Sequence, residues 1–164
     1  MPPSPDAPLV IGLISDTHGQ VRADVHRALA GVDFILHAGD VCGDEVLMEL
    51  ELIAPVVAVF GNCDDRDHPQ LVRQVERTER GVRIHVSHGH ELGAPTVERL
   101  VAAYDADVIV YGHTHRPLIA RAGGRLVVNP GAAGPRRFDI TPSVGRLTIS
   151  PDGVVDIELV DLAY

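Results

Sequence analysis

Apolar residues recur along this chain in short runs that end at glycine-containing loops. Leu9 to Ser15 is the first, followed directly by Asp16-Thr17-His18-Gly19; such a run predicts a buried strand leading into a loop. From Val21 to Ala30 the period changes, and Val21, Val25, Ala28 and Leu29 share one helical face. Phe34 to His37 predicts the next strand, Glu45 to Ile53 a helix stopped ahead of Pro55, and Val56 to Phe60 a third strand. Leu71 to Glu79 alternates and turns at Arg80-Gly81 into Val82 to Ser87, which reads as a hairpin, with a helix over Leu71 to Arg77 as the alternative. Thr96 to Tyr104 predicts a helix and Asp107 to Tyr111 a strand. From Leu118 onward, short strands broken by Gly123-Gly124, Asn129-Pro130-Gly131 and Pro151-Asp152-Gly153 predict antiparallel pairing.

Strands alternating with helices, then a run of strands, give an α/β or α+β chain with a mixed sheet, most simply two packed sheets flanked by helices. The proline-rich residues 1–8 read as a disordered tail, and residues 9–164 as one domain with length enough for a substantial core. Aromatics make up 4%, so that core must come from Val, Leu, Ile and Ala. No apolar run reaches the roughly 18 residues of a membrane span. The N-terminus lacks a basic stretch followed by an apolar one, and two cysteines, Cys42 and Cys63, are too few for a disulfide framework; both predict a cytoplasmic protein with free thiols. The formal net charge is −9 and every basic residue is an arginine, which disfavours broad docking onto a nucleic-acid backbone.

Nine histidines remain, and most fall in the loops after the strands. Five strand ends carry metal-capable side chains: Asp16 with His18, Asp40, Asn62 with Asp64, His88 with His90, and His113 with His115. Leading members lie roughly 22 to 26 residues apart, about one strand and its connection each. In an open sheet such loops gather at the carboxyl ends of the strands. Imidazole and carboxylate together suit Mn, Fe, Zn or Ni, and a carboxylate such as Asp40 can bridge two ions about 3.5–4 Å apart. Each pair alone is weak evidence; five in order, each beside a glycine, are hard to reach by chance.

The order Asp16-x-His18, Gly39-Asp40, Gly61-Asn62-Cys63-Asp64, His88-Gly89-His90 and Gly112-His113-x-His115 resembles the calcineurin-like metallophosphoesterases, and among them the small YfcE-type bacterial and archaeal phosphodiesterases. The likeness runs from Leu9 to about Gly131. It implies a four-layer αββα sandwich and two divalent ions, Mn foremost, with Ni, Fe, Zn or Mg as alternatives. Carried over by position, Asp16, His18, Asp40 and His115 would hold the first ion, Asp40 would bridge, and Asn62, His88 and His113 would complete the second. A hydroxide bridging the ions would attack a small phosphate ester, with Asp40 and Asn62 part of the catalytic centre. A homodimer would suit the family.

One departure stands out. Where many relatives carry the histidine assigned to leaving-group protonation, this chain has Cys63. A thiol of ordinary pKa is a poor general acid, so His90 becomes the candidate for a substitute acid or phosphate contact. The expected activity is therefore a phosphodiesterase favouring aryl leaving groups. Two rivals remain: a weak or inactive binding module, as in the retromer subunit of this fold, and a phosphomonoesterase or nucleotidase. Asp64 is expected to brace the asparagine loop. His26, His37, His68 and His85 read as structural, Arg116, Arg136 and Arg137 as solvated, and Asp65-Arg66-Asp67 as a wet loop.

Overall fold

A computed structural model describes residues 3–163. The elements in chain order are β1 (Leu9–Ile14), α1 (Ala23–Ala28), β2 (Phe34–His37), α2 (Asp44–Glu51), β3 (Val56–Val59), β4 (Leu71–Val72), β5 (Val75–Glu79) and β6 (Val82–Val86). They continue with α3 (Val97–Ala103), β7 (Val108–Val110), β8 (Leu118–Ala122), β9 (Arg125–Asn129), β10 (Ser143–Ile149) and β11 (Val155–Asp161). One sheet has the order β11-β10-β1-β2-β3-β4 and the other β5-β6-β7-β9-β8. β1 to β4 run parallel, as do β6, β7 and β9, while β10, β11, β5 and β8 pair antiparallel at the flanks.

The strand period of two divides the core. Leu9, Ile11 and Leu13 of β1 point between the sheets, meeting Leu36, Val59, Ile84, Val86, Val108 and Val128. The opposite face carries Ile14 and Ile35 against Val25, Leu29, Val46 and Leu50 of α1, α2 and their ends. Leu100 of α3 covers the second sheet over Ile109 and Val127. The layers are therefore helix, sheet, sheet, helix, as the resemblance implied. Gly12 brings α1 close: a Cβ there would lie 3.2 Å from both Leu29 and Ile35 side chains. The helices, 6, 8 and 7 residues long, are too short to persist alone and are held by this packing. Among the described residues, only α3 of the three α-helices has a side-chain N-cap, with Thr96 Oγ1 accepting from Arg99 N at 3.2 Å. Truncating Ile11, fully buried between the sheets, would cost about 2–5 kcal/mol.

The structure corrects one expectation. Leu71 to Glu79 is not one strand: Leu71–Val72 pairs with β3 in the first sheet, and only Val75–Glu79 forms the hairpin with β6. Alternation continues through this crossing because both pieces are half-covered strands. In the segment before β1, Ala7 N donates to Ser4 O and Arg80 donates to the carbonyls of Ser4 and Ala7; Met1 and Pro2 lie outside the described residues.

Candidate metal centre

Because β1, β2 and β3 run parallel, as do β6 and β7, their following loops emerge at one end of the sandwich. Those loops turn through left-handed backbone at non-glycine residues: Asp16, His18, Asp40, Cys42, His113 and His115 all have φ between 45° and 71°. Such conformations cost of order 1–3 kcal/mol each and persist only where the surroundings over-determine them. Backbone bonds between the loops supply that constraint: Asp16 N to Gly39 O at 2.9 Å, His18 N to Asp40 O at 3.0 Å, and Gly112 N to His88 O at 3.0 Å.

The side chains converge. His115 Nε2 lies 3.3 Å, His18 Nε2 3.8 Å and His88 Nε2 3.9 Å from Asp16 Oδ1. Asp40 Oδ2 lies between His18 Nε2, at 3.5 Å, and His88 Nε2, at 3.4 Å. Two donor groups result, Asp16–His18–His115 and Asp16–Asp40–His88. Asn62 Oδ1 approaches the second, 3.1 Å from His88 Nε2. His113 stands beside it with its ring 5.2 Å from that of His88, outside both donor groups. His90 flanks the same place, its ring 5.3 Å from His88 and 6.3 Å from His113. A third group, His18–Cys42–Cys63, was not foreseen.

The fit to a cation rests on Asp16. Its Oδ1 is buried with no hydrogen-bond partner, although three imidazoles surround it. Burial pushes the Asp16 carboxyl up, but His115, His18, His88 and the Ser15 hydroxyl outweigh it and hold the group well below the usual carboxylate range. For Asp40, burial is likewise overcome by His88 and the Cys63 backbone N–H. An ionised, partnerless oxygen in the interior is the environment a divalent ion satisfies.

Other residues hold the loops. The Asp64 carboxylate accepts from Val41 N at 3.1 Å, Cys42 N at 2.8 Å and Gly61 N at 2.8 Å, tying the asparagine loop to the Asp40 loop. His37, fully buried, accepts from Gly39 N at 3.1 Å through Nδ1 and meets Thr17 Oγ1 at 3.0 Å through Nε2. Burial drives its pKa down to about 4, so the ring is neutral. Sequence reasoning passed over Asn129, whose amide donates to Gly112 O at 3.0 Å while its Oδ1 accepts from Gly131 N at 2.9 Å. The Asn-Pro-Gly turn was the available signal. It also passed over Glu91, which accepts from Gly89 N at 2.9 Å and from Tyr104 OH at 2.7 Å. Burial and then the Asp40 carboxylate push the Cys63 thiol up, with Arg137 near enough to act in the opposite sense. Arg136 bonds to Asp139 O at 3.3 Å.

Comparison with known proteins gives the family. Residues 9–152 match the model of the calcineurin-like phosphoesterase superfamily domain. A probable metallophosphoesterase of Methanothermobacter thermautotrophicus is 34% identical over 148 residues, covering 85% of this chain and 81% of that protein. The phosphodiesterase YfcE of Escherichia coli K12 is 36% identical over 145 residues, covering 72% and 76%. Among solved structures, wild-type Vps29 of Entamoeba histolytica complexed with zinc superposes with a TM-score of 0.73 at 26% identity, over 93% of this chain and 99% of that one. No helix of the described residues is long and apolar enough to cross a membrane. The chain belongs to the calcineurin-like phosphoesterase superfamily.

Proposed function

We propose that this protein is a phosphodiesterase that uses two divalent metal ions, Mn foremost, to hydrolyse a small phosphate ester. The observation that carries this is the pair of donor groups sharing Asp16, with Asp40 Oδ2 midway between His18 and His88. Bound there, the ions would supply Lewis acidity and a nucleophilic water activated near neutral pH.

The residues have distinct tasks in this reading. Asp16, His18, Asp40 and His115 would hold one ion, and Asn62, His88 and His113, with Asp40 shared, would hold the other. His113 would need to turn its ring toward the centre. Asn62 contributes a neutral oxygen, so the ions keep more of their charge for the phosphate oxygens, the principal stabilisation in such sites. His90, a half-buried ring beside both His88 and His113, contacts the ester or its leaving oxygen. With Cys63 following Asn62, departure relies on a good leaving group, which favours aryl diesters.

A binding module without activity is the second reading, motivated by Met48 and Leu52, 69% and 80% exposed one turn apart around the end of α2. The retained donor set argues against it. One experiment separates the two: metal-stripped protein is given bis-p-nitrophenyl phosphate, or the monoester, with Mn, Ni, Mg or Zn restored, beside Asp40→Ala. Metal-dependent diester turnover, lost in the variant, supports the enzyme. No turnover by folded protein with any metal overturns it in favour of the module.

A further inference from the structure

Next to the donor set lies a cavity of about 400 Å³ whose walls include Phe60, Asn62, Arg66, Arg73, His90 and Glu91. That volume suits a nucleotide-sized group, and Asn62 and His90 open it directly onto the metal centre. The acids on its wall are occupied. Asp64 is saturated by three backbone N–H groups, and Glu91 by Gly89 N and the Tyr104 hydroxyl. The cations are not. Arg66 rests over the Phe60 ring at 6.0 Å, and neither Arg66 nor Arg73 makes a side-chain hydrogen bond or ion pair among the described residues. Elsewhere Arg27, Arg77 and Arg83 pair with carboxylates, and Arg22, Arg80, Arg125 and Arg146 bind carbonyls.

In a chain of formal charge −9, two uncommitted guanidinium groups facing one cavity offset the field that would repel a polyanion. Planar guanidinium groups match phosphate oxygens two at a time. We propose that Arg66 and Arg73 form a subsite for a second phosphate, so that the substrate is a low-molecular-weight phosphodiester, one arm of which carries a phosphate monoester. The inference rests on the phosphodiesterase reading of the centre and names the substrate class for it. The reacting phosphate sits against Asn62, the attached group passes His90, and its terminal phosphate meets the two arginines.

The test is binding, which does not require turnover. Isothermal titration of the metal-loaded full chain compares thymidine 3′,5′-bisphosphate with thymidine 5′-phosphate at fixed ionic strength. The bisphosphate should bind at least about tenfold more tightly, the equivalent of one or two charge-assisted hydrogen bonds. Arg66→Gln with Arg73→Gln should bring the ratio near one, whereas Arg27→Gln with Arg121→Gln, an equal loss of charge elsewhere, should leave it. Equal affinities in the unaltered protein, or a preference that survives the Arg66/Arg73 change, overturn the subsite. Hydrolysis of bis-p-nitrophenyl phosphate is read separately: an inactive protein that still prefers the bisphosphate keeps the subsite and loses the enzyme.

Discussion

The Nε2 atoms of His18 and His115 face each other 3.3 Å apart, although they follow strands of different sheets and stand 97 residues apart in sequence. Two imidazole nitrogens tolerate that approach only if one carries a proton or a cation lies between them. Divalent metal added to stripped protein should therefore stabilise the fold by about 2.7 kcal/mol at a hundredfold excess over Kd. Differential scanning calorimetry reads this as a rise of roughly 5–10 °C, mostly absent in Asp16→Asn. A melting temperature indifferent to Mn and Zn would exclude a tight site.

Asp64 belongs to none of the candidate metal groups among the described residues, yet it joins two loops through three backbone N–H groups. Asp64→Ala strands those donors and should cost about 2–4 kcal/mol in urea unfolding. It should also weaken metal affinity by about 10–100-fold, as expected for groups that orient ligands. Asp64→Asn, which keeps one acceptor oxygen, should fall between. A variant with ordinary metal affinity would show that the loops hold without it.

Two glycines mark where the donor loops come closest. A Cβ on Gly61 would lie 2.5 Å from Asp40 N, and one on Gly112 2.6 Å from Asp16 Oδ2. Gly61→Ala and Gly112→Ala should displace the Asp40 and Asp16 carboxylates respectively, and the proposed diester turnover should drop by roughly 100-fold or more, the order expected when misplacement reaches about 1 Å. Gly31→Ala has open space but φ +79°, so it should cost about 1 kcal/mol of stability and no activity. Turnover retained in Gly61→Ala would contradict the packing described.

His37 gives acid sensitivity with a definite sign. Above its ordinary pKa of 6.5 the ring is neutral folded or unfolded; as pH falls, the unfolded chain takes up a proton first, and the folded ring resists until about 4. Stability is thus complete above 6.5 and declines down to about 4, by about 3 kcal/mol in all. Metal-free His37→Asn should be weaker at pH 7 but lose less over that interval. Parallel pH profiles of the two proteins would refute the assignment.

In the proposed reaction, Cys63 stands where the resemblance would put the leaving-group acid. Cys63→His should raise turnover of alkyl diesters by about 10- to 100-fold, within the range for general acid catalysis, and that of aryl diesters much less. Equal gains for both esters would show that protonation does not limit the reaction.

Much of this was legible in the sequence. β1, β2, β3, β6 and β7 are short apolar runs ending in glycine and a metal-capable residue, so local pattern and chemistry coincided. Asp40 and His88 stand out by residue type, and the structure brings both into one cluster that could hold a cation. What was hidden depends on distance. β4 and β5 alternate alike, and nothing local says that they join different sheets. Asn129 and Glu91 act through backbone contacts that only the closed fold creates, and Arg66 looked solvated because its cavity is formed by loops far apart in sequence.

The ligand set proposed above is divided between the sheets: Asp16, His18, Asp40 and Asn62 follow strands of the first, His88, His113 and His115 strands of the second. A chain made from its amino end therefore presents carboxylate and amide oxygens with a single imidazole until the second sheet has been synthesised and docked. An ion met by the unfinished chain finds a weak, oxygen-rich half-site. On the proposed metal reading, the nitrogen ligands that discriminate among transition metals would arrive later, so the choice of ion would belong to the completed fold.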